Sequence, residues 1–148
     1  MALRLSSGAR LALANTEGLK SIFNGGLIDI YTGGQPASAD YAETGTKLVR
    51  ISLISGTSST SGLIFGTAAA NALPKSAAVW SGLIAVAGVA GYFRLYCTAG
   101  TSGTSGTDRR IDGNVGLSGS DLVVANSSLA LGATLTIDTF TLTVPASA

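Results

Sequence analysis

From Ala133 to Val144 the chain reads A-T-L-T-I-D-T-F-T-L-T-V, threonine alternating with apolar residues almost throughout. A period of two puts successive side chains on opposite faces of an extended strand, the pattern of a sheet with one face buried. Leu135 and Ile137 share one parity, while Phe140, Leu142 and Val144 share the other. The switch falls at Asp138-Thr139. A one-residue slip would turn the second half outward. A β-bulge at that point is therefore expected, keeping both halves on the core, with Pro145 ending the pairing.

The chain after Gly26 has the same grain. Strands are expected over Leu27–Tyr31, Leu48–Ile54, Leu63–Phe65, Ala77–Val86 and Gly91–Cys97, with weaker ones over Arg109–Leu117 and Asp121–Ala125. Ala77–Val86 and Gly91–Cys97 are expected to form a hairpin turning near Gly88. Ser55–Gly62 and Thr67–Ser76 read as loops, and Thr101–Thr107 (TSGTSGT) as a mobile tip. Helix is expected only within Leu3–Phe23. Ser6 or Ser7 caps its start, Asn15-Thr16-Glu17-Gly18 interrupts it, and Thr16 caps a second turn through Phe23. Asn24-Gly25-Gly26 stops it, with glycine suited to the left-handed position after a helix. The expected fold is mainly β: a β-sandwich or jelly-roll-like single domain over 1–148, with a helical arm at 1–24 and a β domain at 26–148.

Chemistry is conspicuously missing. The chain has no histidine and one cysteine, which removes the usual general base, the Ser-His pair, standard zinc sites and any intrachain disulfide. Cys97 is expected to behave as a small buried hydrophobe. Asp108 and Asp112 flank Arg109-Arg110, a pattern of local salt bridges rather than a calcium loop or a DNA contact. Asp40 and Glu43 share one loop and read as turn and capping residues, not as a glycosidase pair. Gly100, Gly103 and Gly106 do not form a phosphate-binding motif. Asn126-Ser127-Ser128 matches a glycosylation sequon, without meaning in a bacterium. Trp80 and Tyr92 are expected to plug the core between the sheets. No catalytic, cofactor-binding or metal-binding residue is expected.

Charge adds a constraint. Charged residues make up 11% of the chain, against roughly 25% in an average soluble domain. Between Ile51 and Thr107 only Lys75 and Arg94 are charged. A free monomer with so uncharged a middle is poorly protected against association, which favours burial against neighbouring subunits. The net charge of +1 gives no reason to expect direct nucleic acid or an anionic membrane as partner. Gly82–Phe93 is too short for a membrane helix, and the N-terminus lacks the apolar run of a signal peptide.

Gly25–Leu53 reads GGLIDIYTGGQPASADYAETGTKLVRISL. The positions Ile28, Ile30, Tyr31, Thr32, Gly33, Gln35, Pro36, Ala39, Asp40, Glu43, Thr44, Gly45, Thr46 and Leu48 fit the pattern I-x-I-Y-[ST]-G-x-Q-P-x-x-A-D-x-x-E-T-G-T-x-L. This block resembles one in small tailed-phage virion structural proteins, of capsid decoration or accessory type. The likeness extends loosely to Trp80-Ser81-Gly82, to Ala90–Arg94 and to the strand before Pro145. The resemblance implies a place, the virion, rather than a reaction. The expected function is that of a non-catalytic capsid decoration or cement protein. It would bridge subunits of the major capsid protein and associate with itself, as a homotrimer, after synthesis in the bacterial cytoplasm. The alternatives are a tail, collar or head-fibre component, and a host-surface carbohydrate-binding module. The last would need an exposed aromatic platform around Trp80, Tyr31 or Tyr92.

Overall fold

A computed structural model describes residues 3–15, 17–56, 60–98 and 101–143. Its main sheet runs β1 (Arg4–Leu5), β7 (Arg110–Gly116), β6 (Gly88–Tyr96), β2 (Leu27–Thr32), β3 (Lys47–Ile51) across its width, all neighbours antiparallel. Alternation sets its two faces. Ile28, Ile30, Val49, Ile51, Phe93, Leu95 and Ile111 are buried in the hydrophobic core. Asp29, Tyr31, Tyr92, Arg94, Tyr96, Arg110 and Asp112 alternate with them and line the opposite face. A register shift between Ile30 and Tyr31 places Leu48 and Val49 both in the core.

The core's other wall comes from β5 (Trp80–Leu83) paired with β10 (Thr134–Ile137), and β4 (Ala72–Pro74) paired with β11 (Thr141–Thr143). Phe93 of the main sheet meets Phe140 edge to face at 5.5 Å, and Phe140 in turn touches Trp80 and Phe65. This aromatic cluster joins the layers into a mainly β, sandwich-like domain. Two short strands finish it: β8 (Leu122–Val123) runs parallel to β7, and β9 (Ser128–Leu129) pairs with the start of β6. β3 and β5 also meet through an isolated bridge, Ser52 with Ser81. Gly82 sits there with no room for a side chain, since a Cβ would run into the Arg50 carbonyl.

Several sequence expectations need correction. The final run keeps both parities inward, with Leu135, Ile137, Phe140 and Leu142 all buried. The device is a strand break rather than a bulge: β10 ends at Ile137, and the chain then leaves β5 to pair with β4. Val144 and Pro145 lie outside the described residues. The expected hairpin does not form, because β5 takes β10 as its partner while β6 takes β2 and β7. Leu63–Phe65 forms no named strand: Phe65 makes an isolated bridge with Lys75 and Leu63 exchanges backbone bonds with Gly25 and Gly26, while the expected loop at Thr67–Ser76 contains β4. A tight turn there, with Ala70 at φ 52°, returns Ala72 to Ala69.

The N-terminal arm folds onto its own domain. β1 comes before the helices, which the helical reading of Leu3–Phe23 missed. Ser6 then caps α1 (Ser7–Ala14), its Oγ accepting from the Ala9 amide at 3.2 Å. Gly18, rather than Thr16, starts α2 (Leu19–Phe23). There the Ser21 hydroxyl accepts from the Gly18 amide and donates to the Gly18 carbonyl. Thr16 itself lies outside the described residues. Asn24 ends α2 and Gly25 follows at φ 87°, as the glycine pair implies. Ala9, Ala12, Ile22 and Phe23 reach the core.

Candidate functional site

The polar face of the main sheet is where the chain's charges collect. Asp29 on β2 lies opposite Arg50 on β3 and Arg94 on β6; Arg94 lies opposite Asp112 on β7, and Asp112 opposite Arg4 on β1. Across the sheet the charges therefore alternate from Arg50 to Asp29, Arg94, Asp112 and Arg4. Two of these contacts are bidentate guanidinium–carboxylate pairs. Arg50 donates to Asp29 at 2.7 and 2.8 Å, and Arg94 to Asp112 at 2.6 and 2.8 Å. Arg94 and Asp112 are completely buried. Burial favours the neutral guanidine, but the bonds and charge of Asp112 outweigh it and hold Arg94 firmly protonated.

What buries them is the loop at 33–46, the heart of the sequence block singled out above. Glu43 reaches down to the sheet and accepts from Arg94 Nη1 at 3.0 Å and from the Tyr96 hydroxyl at 2.7 Å. Its second oxygen accepts from the Gly103 amide at 2.9 Å. Burial pushes the Glu43 carboxyl up, yet Tyr96, the Gly103 amide and Arg94 together bring it below its ordinary value. The Tyr92 hydroxyl clasps Thr44, accepting from its amide at 2.9 Å and donating to its carbonyl at 2.7 Å. Tyr92 stacks on Tyr31 at 5.1 Å. Asp40 accepts from the Ser7 amide at 2.7 Å and from the Ser7 hydroxyl, fastening the loop to the first turn of α1. Burial raises the Asp40 carboxyl, but the two Ser7 bonds, with Arg10 and Arg110 nearby, lower it overall. Asp40 and Glu43 are thus a cap and a clamp.

The second cover is the TSGTSGT segment, which is not a free tip. Arg110, fully buried, donates to the carbonyls of Gly103 and Thr101. Asp108 accepts from the Thr101 amide at 3.0 Å and from its hydroxyl at 2.6 Å. The Thr101 hydroxyl and amide, with Arg110, hold the Asp108 carboxyl low against a smaller effect of burial. Asp112 bonds Arg94 rather than its sequence neighbours, and Arg109 turns outward to Glu17 at 2.8 Å. The pairing of Asp108 with Arg110 at 3.2 Å is the only part of the expected local cluster that forms.

Among the described residues both covers leave the β2–β3 end of the face open. There a pocket of about 390 Å³ has Asp29, Tyr31, Lys47, Arg50 and Tyr96 in its lining, together with Cys97, Thr98 and Ser102. Cys97 is half-buried rather than buried, packing against the core from the pocket side. Trp80 is in the aromatic core as expected. Tyr92 is buried too, but on the polar face under the loop rather than between the sheets. With Tyr31 also buried, none of the three offers an aromatic platform. Among the described residues no cluster of three or more acidic, cysteine or histidine side chains could hold a metal ion. Nor is any helix among them long and apolar enough to cross a membrane.

The outer surface is the converse of this face. Of the two charges between Ile51 and Thr107, Arg94 is buried, and Lys75 folds back. The Lys75 ammonium donates to the carbonyls of Ser76 and Ala78 and lies over the Trp80 ring at 5.5 Å. Ile54 and Val79 stand two residues beyond the Ser52–Ser81 bridge, 64% and 63% exposed. Val86, Val89 and Leu131 form a second exposed group, where Ile84 bonds Gly132 and Ala133, and Gly88 pairs with Leu129. No protein family, no curated protein and no solved structure matches this chain.

Proposed function

We propose that this chain is a non-catalytic structural protein of a phage particle, a decoration or cement protein that bridges subunits of the major capsid protein. One observation carries the reading. The stretch from Ile51 to Thr107 presents exposed Ile54, Ile64, Val79, Val86 and Val89 while both of its charges are withdrawn from the surface. Such a surface loses little on desolvation, because it holds hydroxyls and backbone amides in place of charges. It suits burial against an equally uncharged partner, and standard interfaces bury roughly 1,600 Å². The resemblance of the Gly25–Leu53 block to phage virion proteins supports the location. Closed self-association, as a trimer, fits positions where capsid subunits meet.

Cryo-electron microscopy of the intact particle tests the reading. Density for this chain repeated over the icosahedral shell, with Val86, Val89 or Val79 at the contacts, is the expected result. Density confined to the tail vertex would replace decoration by a tail or collar role. Particles that lack the chain altogether would end the virion reading.

A further inference from the structure

The geometry points to a carboxylate-binding site at the open end of the polar face, between β2 and β3. Hydrogen-bond donors are left over at this end. Arg50 spends Nε and Nη2 on Asp29, and its Nη1 has no acceptor among the described residues. Lys47 lies 3.7 Å from Asp29 Oδ2, too far for a hydrogen bond, and its side chain is 45% exposed. Its ammonium hydrogens remain available. Two cations face one carboxylate, so the pocket holds one unbalanced positive charge. Register sets both residues beside Asp29, since Asp29 pairs with Arg50 and Tyr31 with Lys47 across the two strands, and the bidentate bond to Asp29 holds the guanidinium in place. A ligand there would lose little to ordering of the protein.

The same face already shows how such a group is held. One strand away, Glu43 of the chain itself lies over Arg94, with a tyrosine hydroxyl and a loop amide completing its shell. The Arg50 end has a guanidinium anchored on an aspartate in the same way, with the Lys47 ammonium beside it as the second donor, because the Tyr31 and Tyr96 hydroxyls in its wall are engaged with each other and with Glu43. Asp29 is the one carboxylate in its lining. The unbalanced charge of one is neutralised by a monoanion such as a carboxylate. The pocket's 390 Å³ is within the range of small-ligand sites. The carboxylate belongs either to a free acid or to an acidic side chain of another protein, and the test separates them.

The full chain, labelled with ¹⁵N, would be titrated with D-glucuronate and with acetyl-glutamate amide. Their uncharged counterparts are D-glucose and acetyl-glutamine amide. Saturable amide shifts at Gly25, Lys47, Thr98 and Ser102 with the acids, absent with the neutral compounds, are expected. Tighter binding of glucuronate identifies a free acid, and tighter binding of acetyl-glutamate amide a protein side chain. Lys47→Gln, at a half-exposed position, should weaken the interaction about three- to tenfold, and Lys47→Arg should restore it. The proposal fails if the acids give no saturable shifts up to tens of millimolar. It fails equally if the neutral compounds shift the same amides, or if a folded Lys47→Gln protein binds the acids as well as the parent.

Discussion

Arg94→Met should cost this protein a large share of its stability, and the loss should be largely recoverable by a second substitution. Arg94 makes two hydrogen bonds to Asp112, one to Glu43 and one to the Tyr41 carbonyl. Methionine fills similar volume and makes none of them. Glu43 keeps Tyr96 and Gly103 as donors. Asp112 loses its only side-chain donor among the described residues while staying completely buried. Breaking a buried pair by removing one partner costs about 3–5 kcal/mol, against a total of about 5–15 kcal/mol for a domain. The double variant R94M/D112L removes both charges, and replacing a whole buried pair is often near neutral. It should lie within about 1–2 kcal/mol of the parent, the remainder being the bond lost by Glu43. Urea unfolding followed by fluorescence of the single, buried Trp80 measures all of these. The deficit of Arg94→Met should also shrink on acidification. Burial raises the Asp112 carboxyl even beside Arg94, and more so without it. A raised carboxyl favours the folded state below its unfolded value and loses that advantage as pH rises through the folded value. A single-variant cost under about 1 kcal/mol, or costs that simply add in the double variant, would refute the ladder as an energetic unit.

Three further outcomes follow from the same geometry. Tyr92→Phe removes both bonds to Thr44 and should cost about 1–2 kcal/mol, with faster proteolytic cleavage within 33–46; unchanged cleavage would mean that the hydroxyl does not fasten the loop. Asp40, Glu43 and Asp108 are all held below their ordinary values, so their stabilisation is complete above the unfolded carboxyl range. It is lost as pH falls below about 4 through the lower folded values. Urea midpoints should be level from about pH 7 to 5 and drop below about 4, less steeply in Glu43→Gln. Gly82→Ala drives a Cβ into the Arg50 carbonyl and to 2.7 Å from a Val49 methyl. It should lower stability by about 1–3 kcal/mol, read as a fall in the thermal midpoint.

The strands were legible because each carries its own pattern, and their partners were not. Asp29, Arg50 and Arg94 each sit singly between two apolar residues, in I-D-I, V-R-I and F-R-L. That spacing says strand, and it says that the charge faces away from the core. It does not say that a further layer covers the charge, because Glu43 approaches Arg94 from 51 positions away. Arg109 and Arg110 show the same limit. Read as local salt-bridge partners of Asp108 and Asp112, they are separated by the strand alternation entering β7, which leaves Arg109 at the surface and buries Arg110. The period of two was available to make that distinction. What Arg110 would meet, the carbonyls of TSGTSGT, was not, since low-complexity sequence carries no sign of being held from below. Trp80 was legible as core by its size, whereas the strand beside it was chosen by contacts distant in sequence, from β10.

The buried charges also bear on why the surface is so bare. A buried ion pair is weak evidence of added stability, but an unpaired buried charge is a strong penalty, so a ladder selects register. Sliding β6 by one residue against β7 would set Arg94 opposite Ile111 or Gly113 rather than Asp112. Glu43 would lose its guanidinium in the same step, and the loop at 33–46 its seat. The main sheet, long-range and twisted over a polar as well as an apolar interior, thereby has one pairing that satisfies it. The chain has 17 charged residues, nine basic and eight acidic. Asp29, Glu43, Arg50, Arg94, Asp108, Arg110 and Asp112 are committed to this inner face. Those charges do not repel neighbouring molecules. Register in the main sheet and an uncharged Ile51–Thr107 surface are two consequences of one allocation of charge. A chain so arranged has its register fixed from within and its Ile51–Thr107 surface poorly protected from contact.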